Sequence, residues 1–203
     1  MHRRAIIFLI VFIDLIGFGI VLPMLPLYAE RFGASGLMIG LIVASFSIMQ
    51  VIFSPFWGRL SDRIGRRPVL LISVGTGTLS YILFAFGSAQ EGNTALALIL
   101  ISRIFAGACG GNTNVTQAYI ADITPSKQRA AGMGLIGVAF SLGLICGPAI
   151  GAFSSHWGMA APACVAAMLS GISFLMALFI LEESLRPELR KKVNSVKHPN
   201  RWI

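Results

Sequence analysis

The sequence predicts an all-α integral membrane protein of six transmembrane helices. Of its 203 residues 56% are hydrophobic and 12% charged, whereas a soluble domain carries about 25% charged residues and cannot hide so much apolar surface in one core of this size. Apolar runs about 20 residues long, enough to cross a hydrocarbon core of about 30 Å as helix, recur along the chain. Their Leu, Ile, Phe, Ala and Gly content does not alternate as barrel strands would.

The runs fall at about 5–29, 37–57, 69–88, 95–120, 131–155 and 160–181, giving a domain over 1–181 and a basic tail over 182–203. The first follows "MHRR" but is longer than a signal peptide's apolar region, carries Asp14 and continues into "GIVLPMLPLY" without a small-residue cleavage site, so it is read as a span. The second ends at the basic stretch "GRLSDRIGRR", read as a loop. No acid stands in the third, and the fourth carries Arg103 followed by "GNTNVTQ". The fifth has Gly143, Gly147 and Gly151 at intervals of four, a smooth strip for close helix packing, with Pro148 as a kink site. The 22 glycines and 9 prolines do not argue against helices in lipid, where neighbours satisfy freed backbone groups.

Fourteen of the sixteen lysines and arginines fall on one side of this arrangement: Arg3 and Arg4, Arg59, Arg63, Arg66 and Arg67, Lys127 and Arg129, then six in the tail. Only Arg31 lies opposite, and Arg103 lies within a span. By the positive-inside rule both termini are expected in the cytoplasm, and the net charge of +8 becomes a topology signal. A nucleic-acid partner would need a basic face on a soluble module, which is not found. Cys109, Cys146 and Cys164 fall within spans without metal-ligand spacing and are expected as buried free thiols; neither metal nor cofactor is called for. An enzyme is disfavoured, since His2, His156 and His198 lie outside the spans and Asp14 is the one acid within them.

Ionisable groups at membrane depth are costly and usually face a cavity or a partner. Asp14, tenth in its span, and Arg103, ninth in its own, hold equivalent places if spans one to three and four to six are inverted repeats, and would line one cavity. Asp14 is a candidate proton- or cation-coupling group or else a satisfied carboxylate that fixes packing; Arg103 is a candidate relay partner or a structural anchor. Asn112, Thr113, Thr116 and Gln117 recur at helical spacing, as cavity lining or as interhelical hydrogen-bond donors. The sequon at Asn114 sits in a span and is set aside.

The order of residues in the basic stretch is more specific than its charge. G-x-L-x-D-R-x-G-R-R before an apolar span resembles the loop signature of the major facilitator superfamily. "DLIGFGIVLPMLPLY", the R-x-x-x-G of "LISRIFAGACGG" and "GLICGPAIGA" are similar to the first, fourth and fifth helices of its drug:proton antiporters, and "AYIADIT" to the tetracycline-efflux and multidrug branch. The resemblance implies an amino-terminal six-helix half of a facilitator, in which Gly58, Asp62, Arg63, Gly65, Arg66 and Arg67 form a gate with Asp122 and Arg129 as partners. Gly143, Gly147, Pro148 and Gly151 become the antiporter helix. Two departures stand out: Ala152 replaces the last glycine of the fifth-helix motif, and Ser80 stands where tetracycline exporters carry an acid, which counts against tetracycline itself.

The implied activity is secondary active export of a small drug-like or amphiphilic molecule in exchange for protons, at the plasma membrane. No P-loop is present in the sequence to suggest ATP as the drive. The expected partners are substrate, protons, the bilayer and a second six-helix half, either a missing carboxy-terminal half or another copy. Import of another solute, or a non-transporting fragment that serves as an assembly partner, are the alternatives.

Overall fold

The computed structural model describes residues 2–110 and 112–185, with residues 2–4 and 112 described by their backbone alone. The helices are α1 (His2–Arg31), α2 (Gly36–Ile64), α3 (Arg66–Ser88), α4 (Gly92–Cys109), α5 (Asn112–Ile123), α6 (Arg129–Ser154) and α7 (Ala161–Ile180), with 3-10 turns at Ser126–Gln128 and Ser155–Trp157. Six stretches are long and apolar enough to cross a membrane, the fourth made of α4 and α5 together, and among the described residues there is no strand. Of the tail, Arg186 and all residues beyond it lie outside those described.

Two local expectations change. "GRLSDRIGRR" is not a loop: α2 continues through it to Ile64 and α3 begins at Arg66. Nothing in "RLSDRI" breaks a helix, and Gly65, with φ +117, is the one non-helical residue between them. Conversely, the fourth span is not one helix, since α4 ends at Cys109. A helix end in lipid must hand its last carbonyls to other donors. Trp57 Nε1 donates to the Ala108 carbonyl at 2.6 Å, Ser73 Oγ to Cys109 at 2.6 Å and Gln50 Nε2 to Gly110 at 3.4 Å. The cysteines are free, but Cys109 and Cys146 are half-buried and Cys164 is exposed, with Cys146 packed at the edge of the apolar core.

The packing repeats itself. α1 packs on α6 as α4 packs on α2, and α1 on α7 as α3 packs on α4, which are the pairings expected when the first three spans map onto the last three. Small residues set both close approaches. A methyl on Gly147 would sit 2.6 Å from Gly19 Cα and 2.7 Å from Ile20 N, so the strip on α6 receives α1 backbone to backbone. A methyl on Gly107 of α4 would sit 2.9 Å from Met49 Cβ on α2. Buried apolar residues form two clusters, one around Ile20, Tyr28, Ile42, Phe84 and Ile99, the other around Ile7, Val69, Val115, Tyr119 and Leu181. The cavity described below lies along α1, α2, α3 and α4.

Candidate functional site: a charged cavity and a charged helix junction

Asp14 and Arg103 line the same cavity, of about 320 Å³, with Phe18, Phe46, Gln50 and Tyr81 among its walls. A narrower cleft of about 40 Å³, enough space for water, shares Asp14 and Thr113 with it and runs between Ile7, Leu70 and Leu181. Asp14 therefore stands where the two spaces meet. Its Oδ1 accepts a hydrogen bond from Ser170 Oγ of α7 at 3.3 Å, alongside further contacts. Ser170 in turn accepts from Thr78 Oγ1 at 3.1 Å.

Arg103 is 2% exposed, and its surroundings are neutral. Nε and Nη2 donate to Ser102 Oγ and Ser80 Oγ, each at 3.4 Å, and the guanidinium carbon lies 5.1 Å from the Phe84 ring centre and 5.7 Å from that of Tyr81. Both serines spend their own protons on backbone carbonyls, Ser80 on Ser102 at 2.7 Å and Ser102 on Ile99 at 2.6 Å, so towards Arg103 they are pure acceptors. Among the described residues no carboxylate oxygen comes within 4 Å of Arg103. Ser80, the departure noted in the sequence, is thus a direct neighbour of Arg103.

Of the polar run in α5, Thr113 lines both spaces and Thr116 the narrow one, while Gln117 is exposed and the Asn112 side chain lies outside those described. Asn114 donates instead to Ser54 Oγ of α2 at 2.5 Å.

At the end of the bundle where α2 meets α3, charge is densely paired. Arg66 Nη1 meets Asp62 Oδ1 at 2.6 Å and donates to Ser61 Oγ at 2.6 Å, and Nε reaches Asp122 Oδ2 of α5 at 3.3 Å. The expected link between the two basic segments is therefore present through Arg66 and Asp122. Arg129, the first residue of α6, is exposed and pairs with neither Asp62 nor any other acid among the described residues. Arg63 is exposed, Arg67 Nη2 donates to the Leu178 carbonyl at 2.7 Å near the end of α7, and a methyl on Gly58 would meet nothing within 4 Å.

Glu183 was not anticipated. Its carboxylate accepts the backbone N–H groups of Arg66 at 2.9 Å and Arg67 at 3.2 Å, and also those of Ser184 and Leu185. An anion over the unsatisfied N–H groups of a helix start is favoured by hydrogen bonding and by the helix dipole together. Gly65 makes room for it: a Cβ there would lie 2.9 Å from Glu183 Cδ and closer still to Oε2. The acidic pair after the sixth span was the available signal, but its target lies 117 residues back along the chain. Among the described residues no group of three or more His, Cys, Asp or Glu could hold a metal.

A bundle of two repeat-related helix triplets around a charged cavity defines a membrane transport fold. The sequence profile described as Major Facilitator Superfamily matches residues 7–201, and the chain belongs to that superfamily. It is 39% identical over 188 residues to the class E tetracycline resistance protein of Escherichia coli, covering 91% of this chain and 45% of that one. It is 33% identical over 194 residues to multidrug resistance protein 2 of Bacillus subtilis (strain 168), covering 95% and 47%. Among solved structures, that of the human organic anion transporter MFSD10 (TETRAN) superposes with a TM-score of 0.80 at 28% identity, over 93% of this chain and 49% of that one. The chain spans about half the length of the curated relatives it matches.

Proposed function

We propose that the chain is the amino-terminal half of a secondary active transporter of the plasma membrane that exports a small amphiphilic, drug-like molecule in exchange for protons. One observation carries the reading: an acid and a base, one from each repeat, face a single largely apolar cavity at membrane depth. Asp14 is the group that takes and releases the proton, held between the wide cavity and the water-sized cleft. Thr113 and Thr116 are its polar neighbours along that cleft, and Asn112 and Gln117 extend the same polar run of α5.

Gly58, Asp62, Arg63, Gly65, Arg66 and Arg67, with Asp122 and Arg129, form a cytoplasmic gate in this reading. Gly143, Gly147, Pro148 and Gly151 let α6 bend against α1. Both termini then face the cytoplasm, in keeping with the distribution of Lys and Arg. A second six-helix half, from another segment or another copy, completes the cavity; the coverage of its relatives and the exposed apolar faces of α2 and α6 support such a partner.

The test is pH-gradient-driven efflux of fluorescent dyes of cationic, anionic and zwitterionic charge from vesicles bearing residues 1–203, beside Asp14→Asn. Export that the substitution abolishes is the expected result for a self-assembling transporter. Absence of export for all three dyes, with insertion verified, excludes self-assembly from two copies and leaves a half that is inactive until a different six-helix half joins it.

A further inference from the structure

The paired charges of the cavity specify more about its ligand than its size does. Arg103 is buried, yet its only polar partners among the described residues are two hydroxyl oxygens at 3.4 Å, the long end of hydrogen-bond geometry. A guanidinium carries five N–H donors in a planar fork, and Nη1 makes no hydrogen bond to any described residue. The side chain, though 2% exposed overall, lines the wide cavity. A cation in a low-dielectric site stabilised only by hydroxyls and ring faces is incompletely compensated, and a carboxylate presented to the fork would supply the missing charge in bidentate form.

Asp14 supplies the opposite preference on another wall of the same space. Tyr81 lies within electrostatic reach of both, and the remaining wall from α2, α5 and α6, including Phe46, Gln50, Thr113 and Phe140, contributes no charge. The walls between the two charges are chiefly aromatic and aliphatic.

We propose that Arg103 is an anion-binding subsite and that the cavity takes a zwitterionic amphiphile, its acidic group on Arg103, its amine facing Asp14 and its apolar body along Phe18, Leu22 and Phe46. The proposal rests on the transport reading above and fixes its substrate class. It also fits exchange rather than cotransport. An amine and a proton compete for Asp14, so substrate binding expels the proton; an anion without an amine would bind better once Asp14 was protonated and would travel with the proton instead.

The test is equilibrium binding, read without any gradient, so that it succeeds or fails independently of transport. The chain in lipid nanodiscs is titrated by calorimetry, with empty nanodiscs as blank, using three probes on one ring system. These are an aminomethyl-naphthoate with its charges at opposite ends, naphthoate, and naphthylmethylamine. The expected result is that the zwitterion binds about tenfold tighter than either singly charged probe, the size of one charge-assisted pair. Arg103→Gln should bring it down to the affinity of the amine, and Asp14→Asn to that of naphthoate. Ser80→Asp, which gives Arg103 an internal carboxylate, should weaken zwitterion and naphthoate alike while sparing the amine, and it serves if Arg103→Gln fails to fold. The proposal is overturned if the amine binds as tightly as the zwitterion, if no probe binds the folded chain, or if Arg103→Gln and Ser80→Asp leave the preference unchanged.

Discussion

The two charged regions are built on opposite principles. At the α2–α3 junction Arg66 sits between two carboxylates, and Glu183 collects four backbone N–H groups. In the cavity Arg103 has hydroxyls and rings, with no carboxylate within 4 Å among the described residues. The junction ties α2, α3, α5 and the end of α7 into one body, with Arg67 Nε as its buried donor left without a partner among the described residues. The cavity keeps a charge in reserve. At the junction Arg66 meets carboxylates on two helices, whereas the proposed role of Arg103 leaves its carboxylate to come from a ligand.

That contrast can be broken by comparing losses of stability. Arg66→Ala should have the largest effect, about 3 kcal/mol, because it strands Asp62 and Asp122 near each other beneath a side chain only 11% exposed; denaturation in mixed micelles followed by far-UV circular dichroism measures it. Gly65→Ala should cost about 2 kcal/mol, since φ +117 disfavours any Cβ and the methyl displaces Glu183. Thermal unfolding in detergent would show it, and an unchanged midpoint would mean that Glu183 does not hold this position. Glu183→Gln keeps an acceptor but removes the charge, so about 1 kcal/mol is expected, a margin that shrinks in high salt as the dipole interaction is screened. Arg103→Gln should be the smallest, within about 0.5 kcal/mol of the parent or stabilising, because an incompletely compensated buried charge costs desolvation that the amide avoids. A loss as large as that of Arg66→Ala would make Arg103 a structural anchor and erase the distinction.

The spans were legible because lipid imposes length and apolarity on each helix separately, a constraint that acts along the chain. What was not legible depends on lateral neighbours. "RLSDRI" was read as a loop from its charge, yet its residues are compatible with helix, and only Gly65 carries a backbone angle that ends one. The fourth span looks continuous in apolarity, and it breaks where Trp57, Ser73 and Gln50 stand ready to take its carbonyls. Asp14 and Arg103 stand out in the sequence because a charge within an apolar run is rare enough to see in one dimension. That Ser80 is the neighbour of Arg103, and Ser170 of Asp14, emerges only once α3, α4 and α7 lie side by side.

The single-residue connection at Gly65 also bears on how the protein is made. With one residue between them, the second and third spans form a hairpin that has almost no loop entropy to lose on closing. Arg59, Arg63, Arg66 and Arg67 cluster at its bend, the feature on which the proposed cytoplasmic placement of this end rests. Glu183 lies more than a hundred residues later in the chain, so the clasp on this bend forms only in a chain that already includes the sixth span.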